Sequence, residues 1–322
     1  MGGGAQPYTG GKSRVAASVT SFVALPKPAP ARRVFRPARR VSWGTRIFAF
    51  LVFLLAVGAV GAFLEIFIPQ QVAAISRMEA NELKLATSGA SDVNLSVNRL
   101  WADLSASSMS LSDDQLARDL ALAKQTESAT SEALGHVQAA QTYMAQAEAM
   151  PFQFKTPGFV ATDRQSLQHL EKGLRAASKL AHGASLQIPV ALSMNANSRG
   201  LGDLNNNLNA RDWSAGARTA ATLSTAIKLQ EGPAGNPETL LDPLWGKWVD
   251  AMLAVVLDAQ QLCLASAQNQ TQLAQQNAHT LAVARDELGA SLAAARANTA
   301  AWQSKTIQPL LDLLGREIAA GS

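Results

Sequence analysis

The sequence predicts an all-α protein, with a single N-terminal transmembrane helix followed by a long-helix bundle of coiled-coil character. Three observations predict it. Residues 47–64 carry no polar side chain. At about 1.5 Å rise per residue they make ~27 Å of helix, close to the ~30 Å hydrocarbon core of a bilayer. Beyond residue 69, apolar residues recur at steps of three and four, the seam of packed helices. No alternating apolar–polar run of useful strand length occurs anywhere.

Charge supports the same layout. Residues 1–46 carry nine of the 28 Lys and Arg residues and no acid, so the remainder holds 19 basic against 24 acidic residues, a net of −5. Basic residues flanking an apolar helix stay on the cytoplasmic side, because their translocation is disfavoured. The expected topology is a single-pass signal anchor in the cell membrane, N-terminus cytoplasmic and C-terminal domain extracytoplasmic. The alternative is a secreted helical protein released by signal cleavage near Ala62, where Val60-Gly61-Ala62 offers small residues. The long basic lead and long apolar run favour the anchor.

Residues 1–45 read as a disordered tail. Glycines open it, and Pro26, Pro28, Pro30 and Pro37 follow among arginines, a composition that buries too little apolar surface to offset ordering entropy. Arg32, Arg33, Arg36, Arg39, Arg40 and Arg46 form a basic patch beside the span, suited to anionic lipid headgroups rather than to nucleic acid. The span itself, residues 46–68, is marked by Ile47, Leu51, Leu55, Gly58, Ala62 and Phe67. Gly58 and Ala62 stand four apart, where small residues let two helices approach closely, so a homodimer through the span and the helices beyond it is expected. Pro69 is expected to end or kink the helix.

Residues 70–322 read as an extracytoplasmic helical bundle, with a possible sub-boundary near 231–237. A first helix, about 70–104, carries Val93, Val97, Leu100, Trp101 and Leu104 on one stripe. Ser112 with Gln115 makes a capping box for a helix to about Ala149, whose face is Leu116, Leu120, Ala123, Leu134, Val137 and Met144. The loop 151–161 holds Phe152, Phe154 and Phe159, expected to fold back onto the bundle. Thr162 with Gln165 suggests the next start. The seam that follows is the most regular in the chain: Leu167, Leu170, Leu174, Ala177, Ala181, Ala184 and Ile188. Pro189 is expected to kink or end it, and the polar stretch 195–209 to be a connection. Asp212 caps a helix through Lys228. Gly232, Pro233, Gly235 and Pro237 form a break. Leu241, Trp245, Trp248, Met252, Val255, Ala259 and Leu262 then resume the seam, with no strong stop before Gly289 and pieces continuing to Ile318.

No residue pattern points to catalysis, so the chain reads as a non-enzyme. His136, His169, His182 and His279 lie outside any metal-ligand spacing and read as structural. Residues 203–209 begin like a calcium loop, but Leu208 stands where glycine is required and Ser214 where the bidentate Glu belongs. Trp101, Trp213, Trp245, Trp248 and Trp302 read as bundle core rather than a pocket. Cys263, the sole cysteine, reads as a small buried hydrophobe, and the chain can form no internal disulfide. No cofactor motif occurs. The layout resembles helical sensor ectodomains of bacterial receptors in architecture alone. Those return through a second span, and nothing after residue 68 reads as one. The expected role is therefore a binding, scaffolding or sensing module with a protein partner the sequence does not identify. The rival is a small-ligand-binding or hydrolytic ectodomain with an unrecognised site.

Overall fold

The computed structural model describes residues 43–107, 111–150 and 157–322. They form an all-α structure: α1 Trp43–Ser107, α2 Asp113–Glu148, α3 Gly158–Asn209, α4 Trp213–Gly235, a 3-10 turn Pro237–Thr239, α5 Pro243–Ala267, α6 Thr271–Thr306 and α7 Gln308–Gly321. No strand occurs among the described residues. The chain divides into two compact units, Met1–Gly58 and Ala59–Ser322. The described part of the first is helix with every residue exposed.

The second unit contains two hydrophobic cores built along one shared helix. Bundle 1 packs α1, α2, the first part of α3 and α7 around Val93, Val97, Leu100, Leu116, Leu170, Leu174 and Leu314. Bundle 2 packs the last part of α3 with α4, α5 and α6 around Met194, Leu204, Ile227, Trp245, Trp248 and Met252. The 52 residues of α3 explain how one helix serves both, since they span about 78 Å. Partners along α3 identify its neighbours. Arg164 and Arg199 reach Glu148 and Asp113 at opposite ends of α2, so those helices are antiparallel. Arg285 of α6 donates to Asn205, and His169 bonds Glu317 of α7, so α6 and α7 together run antiparallel to α3.

Helical periodicity produces the packing. The buried positions of α2 are Leu116, Asp119, Ala123, Thr126, Thr130, Ala133, Val137, Ala140, Met144 and Ala147, alternating three and four without interruption. The stripe on α1 from Val93 to Leu104 and the α3 seam from Leu167 to Ile188 are buried throughout. Leu120 and Leu134 pack only partly buried at the edge of bundle 1, as does Phe159. Phe152 and Phe154 lie outside the described residues. Caps act where expected: Ser112 Oγ accepts from the Gln115 N–H at 3.2 Å, and Asp212 from the Ala215 N–H at 2.9 Å.

The α4–α5 connection joins the bundles. Leu240 has φ 52°, a left-handed conformation that disfavours a branched residue, and it is held there by packing. Its side chain lies directly against Gly183 of α3, where a Cβ would collide with it. Its carbonyl accepts from Trp302 Nε1 at 3.4 Å, and Asp242 accepts from Asn298 of α6 at 2.8 Å.

Several boundaries differ from expectation. α1 continues through Pro69, and α3 continues through Pro189. At Pro189 the reason is packing: Ile188, Val190 and Ala191 are all buried, and tertiary burial outweighs the missing N–H bond. For the same reason residues 195–209 are helix, with Asn197 and Leu204 buried. α3 starts at Gly158, and Thr162 Oγ1 donates to the Gly158 carbonyl instead of capping. The helix after residue 241 stops at Gln268, where Asn269 takes φ 57° and turns the chain into α6. Finally, α5 is, like α1, long and apolar enough to cross a membrane, contrary to the reading that no segment after residue 68 qualifies. The two differ in surroundings. None of the most apolar window of α1 is buried, against 39% of that of α5, which supplies core residues to bundle 2.

Candidate functional site

Ile47, Leu51, Leu55, Gly58, Ala62 and Phe67 all lie on α1 and are exposed, as is Arg46. Nothing approaches within 4 Å of a Cβ placed on Gly58. Phe63 and Phe67 stack at 4.8 Å, as residues four apart on one helix face can. Arg32, Arg33, Arg36, Arg39 and Arg40 lie outside the described residues.

The ionisable groups gather in bundle 1. His136 of α2 meets Glu82 of α1 at 2.7 Å. His182 of α3 meets Glu127 of α2 at 2.9 Å, and Ser185 donates to the same carboxylate oxygen. His169 of α3 meets Glu317 of α7 at 2.7 Å. Each pair crosses a different helix contact. These three imidazoles sit at contacts between helices, each with a partner more than fifty residues away. His279 is exposed on α6.

Glu79 differs from these. It occupies a core position of α1, seven residues before Ala86, with no exposed surface, and the polar group beside its carboxyl is another acid, Asp163. Burial raises its pKa from 4.5 to about 7, with repulsion from Asp163 of α3 adding to the rise. Asp119 of α2 is similarly placed. Its carboxyl is pushed up, first by burial and then by Asp103, while Arg118 and Arg99 pull it down. Neither acid was legible as functional from motifs. Extending the α1 stripe backwards from Leu104 by threes and fours would have reached Glu79.

Other carboxylates are held ionised. Hydrogen bonds from Arg199 and Asn195 lower the pKa of Asp113, and those from Gln141 and Arg175 lower that of Glu171. Glu317 is lowered chiefly by its bond with His169. Among the described residues no group of three metal-ligating side chains converges. The calcium-loop-like residues 203–209 lie in the last turns of α3, where a helix cannot wrap a cation.

Several clefts open on the surface of the described residues. One, of about 440 Å³, lies between the end of α1 and the α6–α7 junction, lined by Asn98, Trp101, Ser105, Gln303, Gln308 and Leu311. No charged side chain lines it. Trp101 forms its floor and donates through Nε1 to the Leu180 carbonyl at 3.3 Å. Another, about 240 Å³, lies between α2 and α3 beside the Glu148–Arg164 pair. Trp245 and Trp248 are buried core, packed edge to face at 5.7 Å. Cys263 is buried against Gly216 of α4, and burial pushes its thiol pKa up, as for a packing residue.

No protein-family model matches this chain, no curated protein matches its sequence, and no solved structure matches its fold. The geometry above is therefore the basis for any functional reading.

Proposed function

We propose that this chain is a single-pass membrane-anchored protein whose double helical bundle serves as a non-enzymatic binding, scaffolding or sensing module outside the cytoplasmic membrane. The observation that carries this reading is α1, one helix that bears both a fully exposed apolar segment and buried core residues of bundle 1. An apolar stretch of that length left in water would expose more contiguous hydrophobic surface than a soluble monomer tolerates. The charge asymmetry across it supports an N-terminus inside and bundles outside. The basic tail then meets anionic headgroups, and the open face at Gly58 and Ala62 accommodates a second copy.

Membrane fractionation with protease accessibility tests the reading. The full-length chain should resist alkaline extraction. Protease added to intact cells should remove residues beyond 70 and spare the tail. Recovery in the soluble fraction overturns the anchor, and protection of the bundles overturns the orientation. Cross-linking in the same membranes reads self-association, and Gly58→Leu should reduce any dimer formed through the span. The neutral cleft floored by Trp101 supports a narrower second reading, a site for an uncharged polar small molecule, which quenching of tryptophan fluorescence by candidate ligands would detect.

A further inference from the structure

The helix contacts of bundle 1 are crossed by pairs of ionisable side chains. Glu82–His136 crosses α1–α2, Glu127–His182 crosses α2–α3, and His169–Glu317 crosses α3–α7. The α1–α3 contact differs. Glu79 is enclosed there with both oxygens unpartnered, and Asp163 is the charged group facing it. Bundle 2 makes its cross-helix polar contacts mostly with amides: Asn197 to Gln230, Asn207 to Thr219, Arg285 to Asn205 and Asn298 to Asp242.

We propose that bundle 1 is a proton-locked element: a proton held by Glu79 at the α1–α3 contact clamps α1 to its neighbours, and loss of that proton loosens it. The proposal concerns packing within bundle 1 and holds whether or not the apolar segment lies in a bilayer.

The signs agree. A neutral carboxyl can be enclosed among apolar side chains, whereas an ionised one is cut off from bulk solvent and repelled by Asp163. The folded bundle keeps a proton on Glu79 that the unfolded chain releases between pH 4.5 and about 7. Stability therefore falls as pH rises through that window and levels off above it. Lys172 and Arg316 also face Glu317, lowering its pKa further. Asp113, Glu171 and Glu317, whose pKa values are lowered, act in the opposite direction, but the stability they provide is lost only as pH falls below the ordinary carboxylate range. The clamp is thus tightest in mild acid, below neutrality and above the titration of those three groups.

Hydrogen exchange of the full-length chain in detergent micelles or nanodiscs tests this at about pH 5.5 and about pH 8, corrected for intrinsic exchange. Amides of residues 72–90 should open at least about tenfold more at the higher pH, while those of residues 245–259 hold steady. Glu79→Gln should abolish the response, leaving α1 protected at both values. Asp163→Asn should weaken it, and carries the test if Glu79→Gln fails to fold. A wild-type chain with no pH response in α1, or a response that survives the variants unchanged, overturns the proposal.

Discussion

Bundle 1 is closed by narrow seams in which α2 contributes four alanines and two threonines, and its buried acids, Asp119 and Glu79, lie on facing elements. Bundle 2 is closed by α5, which contributes Trp245, Trp248, Val249, Met252, Val255 and Val256 to the interior. The threonines are satisfied within their own helix, Thr126 to the Leu122 carbonyl at 2.7 Å and Thr130 to the Thr126 carbonyl at 2.6 Å. The contrast is instructive because both cores use α3. Small seam residues bring backbones close, as Gly89 against Ala133 shows, and leave lateral contacts to ionisable side chains. Large aromatic residues make cohesion a matter of area, about 25 cal/mol per Å² of apolar surface removed from water. One half of the molecule should therefore respond to proton concentration and the other should not.

The largest expected effect falls on bundle 2. Trp248→Ala removes a buried ring and its edge-to-face partner contact, and should cost about 3–5 kcal/mol in chemical denaturation, independent of pH between about 5.5 and 8. A cost that changes with pH would break the contrast between the bundles. Next is the junction. Gly183→Ala places a methyl where Leu240 sits, and should cost about 1–3 kcal/mol. Because Leu240 packs with core 1 while Leu241 packs with core 2, hydrogen exchange should rise in both bundles. A rise confined to one would show that they melt separately. Smallest is Ser112→Ala at the start of α2, about 1 kcal/mol by thermal denaturation. Its effect should be confined to bundle 1.

The helical class, the α3 seam and the aromatic stripe on α5 were legible because each repeats within its own segment, where period alone decides the buried face. Pro189 and the asparagine-rich end of α3 misled, because local propensity argues for a stop and the packing of Ile188, Val190, Met194 and Leu204 overrides it. Pro69 also sits inside a continuous helix, but among largely exposed neighbours. The stop at Gln268 was missed for the converse reason. Its signal is a positive φ at Asn269 rather than Gly or Pro. The acid–base contacts were illegible because their partners lie 54, 55 and 148 residues apart. Asp119, Thr126 and Thr130 were passed over as seam positions since a search for apolar residues skips them.

The order in which α3 meets its partners has a consequence for biosynthesis. Every helix of bundle 2 is present once residue 306 has been made, and its α4, α5 and α6 are consecutive neighbours, a low-separation arrangement that assembles quickly. Bundle 1 begins earlier in the chain yet lacks α7 until residues 308–321 emerge. Gly321 sits against Leu170 and the Ser166 carbonyl, and Ile318 beside Gly173, so the α3 face that receives α7 stays bare until those residues emerge. The first half of the molecule to be synthesised is thus the last to close, and a nascent chain stalled short of residue 308 would present an open apolar trough beside a finished bundle.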